Sequence, residues 1–278
     1  MLSIRPVLRP LSFVLAIVAI SACSSATAPT SSATSTVSTA PTVPATSVVV
    51  STVAAGATTD AATGSEDVAA AVAADNAVTD NSPCIGVQPT PGETITPNGG
   101  GQWAAPDQVI DASHTYCAIL TTNHGRIVFA LFAKTAPKNV NSFVFLAKKG
   151  FYENITWHRV ISGFMAQTGD PTGTGGGTPG FQVPLEVVPG LKYDREGRVG
   201  VARANDPDSA GGQFFITFAP QASLDPSDST AGYTILGQVV EGINILRQIT
   251  IRNVDQNPNL PKGDPLVSVR IVDLGVTK

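Results

Sequence analysis

The chain has 278 residues, 42% of them hydrophobic and 14% charged, and a formal net charge of −4. This length has room for one or two domains. The slightly acidic balance argues against a nucleic-acid partner, which usually requires a basic face. Three Cys and three His, scattered along the chain, argue against a zinc site and against a framework of several disulfides.

Residues 1–22 have the pattern of a signal peptide. Arg5 and Arg9 precede an apolar run from Leu11 to Ile20, which is too short to cross a bilayer comfortably. The run ends in Ile-Ser-Ala-Cys, which resembles the lipobox of bacterial lipoproteins, where cleavage precedes a lipid-bearing Cys. We expect a lipid anchor at Cys23 that holds the protein at the extracytoplasmic face of the cell membrane. The alternative is an ordinary secretory signal that is cut nearby.

Residues 23–82 consist almost wholly of Ser, Thr, Ala and Val, with a few Pro. No charged residue lies between Arg9 and Asp60, and we find no helical or strand periodicity. Because such a composition cannot close a core, it predicts a disordered tether. A flexible coil of this length would reach roughly 45 Å, enough to hold a folded domain off the membrane. The Ser and Thr density leaves O-glycosylation open.

Residues 83–114 form an irregular lead-in that is rich in Pro and Gly and has Trp103 as its large apolar side chain. With Cys23 lipidated, Cys84 and Cys117 remain as a pair, and thiols outside the cytoplasm tend to oxidise. We expect a disulfide that staples the lead-in to the first strand. The alternative is two free thiols, one of them buried.

A folded domain is predicted over residues 115–278. Two β-rich runs, YCAILTT and RIVFALF, flank Asn-His-Gly at 123–125, which suits a hairpin turn. A helix should follow, with Thr135 as its cap, Pro137 in its first turn and Gly150 at its end.

The remainder of the domain is a succession of short strands and Gly/Pro loops up to about Gly237. A second helix is predicted over about 241–249, and a last strand over 266–274. Many strands with few helices favour a barrel or a sandwich.

One stretch, FYENITWHRVISGFMAQTGD, concentrates side chains that could bind and polarise a ligand. It places Arg159 close to Phe164, Met165 and Gln167. The alternation of Gln167 with apolar neighbours suits a strand with one face towards a pocket. Because the stretch offers no obvious nucleophile and no cluster of acids, a site here would bind and polarise a ligand without cutting it.

Four motifs of the domain, in order along the chain, resemble those of the cyclophilin-type peptidyl-prolyl isomerases: WHRVISGFMAQTGD, GTGGGTPGF, ARANDPDSAGGQFFITF and YTILGQVVEG. The resemblance covers about residues 115–278. It implies a mainly β fold, a closed antiparallel eight-stranded barrel capped by two helices. It also implies an enzyme that accelerates rotation about X-Pro bonds in proline-containing polypeptides, with no metal or organic cofactor. Behind a signal peptide, its substrates would be secreted or envelope proteins.

The same resemblance implies roles for particular residues. Arg159 would be catalytic, donating a hydrogen bond to the proline nitrogen in the twisted amide. Phe214 should point into the core, because neighbours on a strand face opposite ways. The substrate-binding residues fall into two groups, those around the proline ring and those along the substrate backbone: Phe164, Met165, Phe215, Leu224 and Tyr233, and then Gln167, Ala204, Asn205 and Gln213.

Two positions depart from the family pattern. Ser223 stands where many members have a Trp that supports cyclosporin binding, and Tyr233 stands where they have a His. We therefore expect weak cyclosporin binding with isomerase activity retained. Separately, we expect the protein to be a monomer. The alternative is a chaperone or adaptor that captures proline peptides without turnover. Arg159 argues against that alternative, since a pure binder needs no donor at the nitrogen.

Overall fold

The computed structural model describes residues 61–79 and 81–277. The predicted signal peptide, the predicted lipidation site at Cys23 and most of the predicted tether lie outside this part of the chain. No helix within it is both long and apolar enough to cross a bilayer. Nor do its His, Cys, Asp and Glu side chains form a group of three or more that could hold a metal ion.

A helix, α1 (Ala61–Asn76), lies where the sequence predicted the end of a disordered tether. The structure corrects the disorder prediction over these residues. The helix is rich in Ala, the residue with the highest helix propensity, but has no continuous apolar stripe. Its last turns pack on the domain: Val72 is buried, and the side chain of Asn76 donates to the carbonyl of Gly190 at 3.0 Å.

The lead-in over 83–114 contains no helix or strand and is fastened to the domain at several points. Cys84 forms a disulfide with Cys117, with 5.5 Å between the two Cα atoms. Further along, the amide of Trp103 donates to the carbonyl of Pro179 at 2.9 Å. The Trp103 ring also packs edge-on against Phe145, with 5.6 Å between the ring centroids.

The domain is built on a curled sheet of nine strands, in which all neighbours are antiparallel. In chain order the strands are β1 (Tyr116–Thr122), β2 (Gly125–Leu131), β3 (Ile155–Thr156), β4 (Arg159–Ile161), β5 (Met165–Thr168), β6 (Arg198–Val201), β7 (Phe214–Thr217), β8 (Ile235–Glu241) and β9 (Pro265–Asp273). They are hydrogen-bonded in the order β3-β9-β1-β2-β8-β6-β7-β5-β4.

The predicted closed ring of eight strands is not what the structure shows. The edge strands β3 and β4 follow one another in the chain, and no ladder joins them within the described residues. The segment 252–264, which precedes β9, makes the backbone contacts near these two edge strands. Arg252 forms an isolated β-bridge with Val160 of β4, and the amide of Trp157 donates to the carbonyl of Asp264 at 2.9 Å. This segment contains Pro258 and Pro261, and Pro cannot donate to a ladder.

The longer of the two helices in the domain is α2 (Pro137–Lys148). Pro137 occupies its first turn as predicted, but Thr135 does not cap it. The cap comes from a distant segment, because the carboxylate of Glu186 accepts from the amides of Lys138 and Asn139 at 3.1 and 2.9 Å. A carboxylate at this end of a helix is also favoured by the helix dipole.

The other helix, α3 (Ile243–Leu246), is shorter than the predicted span of about 241–249. Beyond Leu246 the amides of Gln248 and Ile249 donate to carbonyls three residues back, at 2.9 and 3.3 Å, so the α-helical pattern stops. The amide of Thr250 then donates to the Asp264 carboxylate at 2.7 Å. Leu246 in this helix and Ile249 just after it are both buried in the core.

Two clusters of buried apolar side chains meet at β7. Phe214 belongs to the main core and packs edge-on against Phe143, with ring centroids 5.3 Å apart. Its neighbour Phe215 faces the other way and joins a second cluster with Met165 and Leu224. The predicted orientation of Phe214 into the core is confirmed.

Candidate active site

Three of the predicted site residues form one row across the sheet. Arg159 on β4 lies opposite Gln167 on β5, and Gln167 lies opposite Phe215 on β7. Residues directly opposite each other on antiparallel strands present their side chains on the same face. Strand register therefore places a cation, an amide and an aromatic ring side by side.

Next in this row, on β6, is Gly200, which lies opposite Phe215. A Cβ atom at this position would collide with the Phe215 ring and with the Tyr193 hydroxyl. The missing side chain thus leaves the space in which the Phe215 ring lies. Tyr193 stacks on the Phe215 ring at a centroid distance of 5.9 Å and holds that ring in place.

A cavity of about 140 Å³ opens over this row. The sequence-predicted residues that line it come from β4, the turn between β4 and β5, β5, β7 and the segment 224–233: Arg159, Phe164, Met165, Gln167, Phe215, Leu224 and Tyr233. Two further lining residues, Ala202 and Arg203, were missed. Both belong to the ARANDPDSAGGQFFITF block, so the signal was present but the pocket face of that segment was not recognised.

A second cavity of about 390 Å³ adjoins the first, and Gln167, Ala202 and Arg203 line both. Of the residues predicted to hold the substrate backbone, Ala204 and Gln213 line this second cavity. Asn205 lines neither cavity; it is exposed and lies in the turn that follows Ala204.

The amides of Gln167 and Gln213 are joined in a chain of hydrogen bonds. Gln167 Nε2 donates to Gln213 Oε1 at 2.9 Å. Gln213 Nε2 donates in turn to the carbonyls of Gly175 and Gly177 at 2.9 and 3.2 Å. The glycine-rich loop is thereby tied to the row of site residues.

A buried carboxylate, that of Asp170, organises the same loop. It accepts from the amides of Thr172, Thr174 and Gly175 at 2.7, 3.0 and 2.6 Å. Burial alone would raise the pKa of Asp170, but the hydrogen bonds from Thr172 and the loop amides outweigh it and lower the pKa. The glycine-rich loop is therefore an ordered wall of the second cavity, and the ionised side chain of Asp170 holds it in place.

The guanidinium of Arg159 faces a carboxylate that the sequence did not point to. Asp255 accepts from Nε and Nη2 of Arg159, and the shortest of these contacts is 2.5 Å. The hydrogen bond from Arg159 lowers the pKa of Asp255. Because 96 residues separate the two in the chain, no local spacing could have predicted the pair.

His158, next to Arg159 in the chain, lines neither of the two cavities. Its side chain is buried, and burial lowers the pKa of the imidazole, so the ring is neutral at physiological pH. The site thus contains the guanidinium groups of Arg159 and Arg203, two side-chain amides and a cavity with apolar and aromatic walls. Such a group can bind a peptide and stabilise a developing lone pair, but it has no nucleophile.

Comparison with known proteins agrees with this chemistry. The sequence profile described as "Cyclophilin type peptidyl-prolyl cis-trans isomerase/CLD" matches residues 117–276, more than half of the chain. The chain belongs to the cyclophilin-type peptidyl-prolyl isomerase family. The matched span contains every strand of the sheet and both cavities, apart from the first residue of β1.

Among proteins similar to this cyclophilin, the peptidyl-prolyl cis-trans isomerase-like 1 of Rhizopus delemar is 40% identical over 145 residues, which are 51% of this chain and 84% of the relative. The peptidyl-prolyl cis-trans isomerase of Helicobacter pylori is 39% identical over 141 residues, 50% of this chain and 83% of that protein. A crystal structure of a Cryptosporidium parvum cyclophilin-type isomerase shares 31% identity at a TM-score of 0.48 and covers 57% of this chain and 98% of its own.

Proposed function

We propose that this cyclophilin-type isomerase accelerates cis–trans rotation about X-Pro bonds in secreted or envelope proteins, and that Arg159 is its catalytic hydrogen-bond donor. One observation carries the proposal: Arg159 lies in one row with Gln167 and Phe215 at the rim of a proline-sized cavity. The other cation that lines this cavity, Arg203, already donates to the carbonyls of Gly232 and Ala204.

Rotation about an X-Pro bond is slow because amide resonance must be lost, over a barrier of about 20 kcal/mol. In the twisted state the proline nitrogen recovers its lone pair and can accept a hydrogen bond. A donor aimed at that nitrogen stabilises the transition state more than the planar ground state, which is the condition for catalysis. Every 1.4 kcal/mol of such preference gives about a tenfold rate increase. Arg159 suits the role since a guanidinium stays charged at every relevant pH.

The two cavities divide the binding of the substrate. The smaller, with Phe164, Met165 and Phe215 in its wall, takes the proline ring. The larger, with Ala204 and Gln213, takes the residues on one side of it, and the linked amides of the Gln side chains hold the substrate backbone. Rotation then occurs about a bond whose two ends are held separately.

Exchange NMR on a short Ala-Pro peptide tests the proposal with the full chain, purified in detergent. We expect wild-type protein to accelerate exchange and Arg159→Ala to lose about 100-fold or more, the usual effect of removing one transition-state donor. Arg247→Ala is the matched control, because it removes the same charge from an exposed ion pair with Glu196. If the peptide binds and its exchange stays at the uncatalysed rate, the protein is a proline-binding module instead.

The proposed setting is the extracytoplasmic face of the membrane, with a lipid on Cys23. The sequence pattern of residues 1–23 supports it, and so does the Cys84–Cys117 disulfide, since disulfides persist in oxidising compartments. Fatty-acid labelling of cells should mark the wild-type protein in the membrane fraction. Cys23→Ser should remove both the label and the membrane association; a labelled Cys23→Ser protein would place the lipid elsewhere.

Weak cyclosporin binding and a monomeric state complete the proposal. Ser223 is exposed on the 3-10 turn Ala222–Leu224 and offers no ring beside the proline cavity. A monomer suffices because one chain supplies every residue that lines both cavities. Titration should give weak affinity for wild-type protein and tighter binding for Ser223→Trp, whereas nanomolar wild-type affinity would contradict the expectation. Sedimentation should report a single copy.

A further inference from the structure

Asp255 occupies one edge of the Arg159 guanidinium. Nε of Arg159 donates to both carboxylate oxygens, at 3.2 and 3.1 Å, and Nη2 donates to Oδ2 at 2.5 Å. The Nη1 group of Arg159 has no hydrogen-bond partner among the described residues. Since a guanidinium is planar and rigid, fixing one edge also fixes the direction in which Nη1 points.

The segment that carries Asp255 is itself anchored beside Arg159. Arg252 and Val160 exchange two backbone hydrogen bonds, of 2.9 and 2.8 Å, so the segment starts against the middle of β4. The side chain of Arg252 then donates to the carbonyls of Leu260 and Pro261, at 3.2 and 2.7 Å. Asp255 therefore lies on a loop that is closed at its base and fixed to the strand that carries Arg159.

The ion pair between Arg159 and Asp255 orients the guanidinium and contributes little to the folding stability of the protein. The side chains of Arg159 and Asp255 are 27% and 53% exposed, and exposed pairs of this kind contribute little to folding. A free Arg side chain, in contrast, samples many rotamers and loses that freedom on making a directed contact. A donor that is already oriented before the substrate twists avoids this loss during the reaction.

We propose that Asp255 is a positioning residue for isomerisation, which holds the guanidinium of Arg159 so that Nη1 is directed to the proline nitrogen. The inference rests on the proposed catalytic role of Arg159 and goes one step beyond it. Asp255 acts through Arg159, so its loss should lower kcat and leave the binding of the planar substrate largely unchanged.

The test uses the full chain and separates kcat from KM by exchange NMR at several peptide concentrations. Asp255→Ala should lower kcat about 10-fold and change KM less than twofold, a split that general loosening of the fold would not produce. Asp255→Asn should lie between, and Asp255→Glu should recover part of the loss. Asp107→Asn is the matched control, since it removes the same charge from an exposed carboxylate 3.9 Å from Lys149.

A direct readout is the Nε–H resonance of Arg159 in nitrogen–proton spectra. It should be protected from exchange with water in wild-type protein and in Asp107→Asn, and unprotected in Asp255→Ala. In an Arg159→Ala background, Asp255→Ala should have no further effect on kcat.

Three outcomes overturn the inference in distinguishable ways. Wild-type kcat in Asp255→Ala, with Arg159→Ala inactive, would leave the role of Arg159 standing and remove that of Asp255. A raised kcat in Asp255→Ala would mean that the carboxylate restrains Arg159 and slows the reaction. Full activity in Arg159→Ala would remove the catalytic role of Arg159 and, with it, the positioning role of Asp255.

Discussion

The guanidinium of Arg203 lies over the ring of Tyr233, 4.5 Å from the ring centroid. Two of its nitrogens, Nε and Nη2, donate to the carbonyl of Gly232 at 3.0 and 2.9 Å, so the cation is fixed by the residue next to Tyr233. The ring also meets Phe215 edge-on, with 5.9 Å between centroids. The ring of Tyr233 is thus fixed by Arg203 and by Phe215. It occupies the position at which the family resemblance leads us to expect a His.

This arrangement predicts that the ring of Tyr233 matters for substrate affinity and its hydroxyl does not. Tyr233→Ala removes the aromatic wall that the proline ring would contact, on the order of 1.4 kcal/mol of apolar contact, so the peptide dissociation constant should rise about 10-fold. Tyr233→Phe keeps the ring and should change it less than twofold. Titration of an Ala-Pro peptide measures both. A large loss in Tyr233→Phe would instead assign the hydroxyl a direct role in binding.

The disulfide between Cys84 and Cys117 should stabilise the fold without affecting the site. It joins residues 33 apart, and closing a loop of that length in the unfolded chain contributes about 4 kcal/mol. Its surroundings, Ile119, Val128 and Ala130, form a cluster separate from the one that contains the proline cavity.

Urea unfolding of wild-type protein with and without reductant, and of Cys84→Ser, measures this contribution. Reduced wild-type protein and the variant should unfold at similar, lower urea concentrations and should isomerise peptide at the wild-type rate while folded. Unchanged unfolding on reduction, or lost activity in folded reduced protein, would contradict this expectation.

Local signals in the sequence identified much of the fold and of the site. Strand β1 (Tyr116–Thr122) coincides with the predicted run, and its hairpin to β2 turns at the predicted Asn-His-Gly. Arg159 and Gln167 lie close in one motif, and strand pairing aligns them with Phe215. The spacing of residues along a strand decides which side chains share a face, so the sequence could predict which side chains point into the cavity.

Polar partners that arrive from distant segments could not be predicted in this way. The cap of α2 comes from Glu186, and the carboxylate on Arg159 comes from Asp255, which lies 96 residues away. A single charged residue in a loop gives no indication of which cation it will meet in the folded protein. The helix α1 was missed for a different reason, since its Ala-rich composition also suits a disordered tether. Contacts with the domain, made by Val72, Asp75 and Asn76, distinguish the two.

The contact between α1 and the domain contains a titratable group. Thr135 donates its hydroxyl proton to the carboxylate of Asp75 at 2.6 Å. Burial against the domain raises the pKa of Asp75 to about 6, although the Thr135 hydrogen bond and the charges of Arg198 and Lys134 oppose the rise. The folded state therefore holds the proton more tightly than the unfolded state, whose pKa is near 3.8.

The sign of the pH dependence follows from these two pKa values. The contribution of Asp75 to the docking of α1 is complete below pH 4 and is lost as the pH rises through about 6, because the carboxylate must then ionise in a partly buried place.

Hydrogen exchange of the α1 amides, corrected for the intrinsic rate at each pH, should show weaker protection at pH 7.5 than at pH 4.5. Asp75→Asn should abolish this difference and give stronger protection than wild-type protein at pH 7.5. Asp67→Asn, on the exposed face of the same helix, should keep the wild-type dependence; the same loss of pH dependence in Asp67→Asn would assign it to the net charge of α1 and not to Asp75.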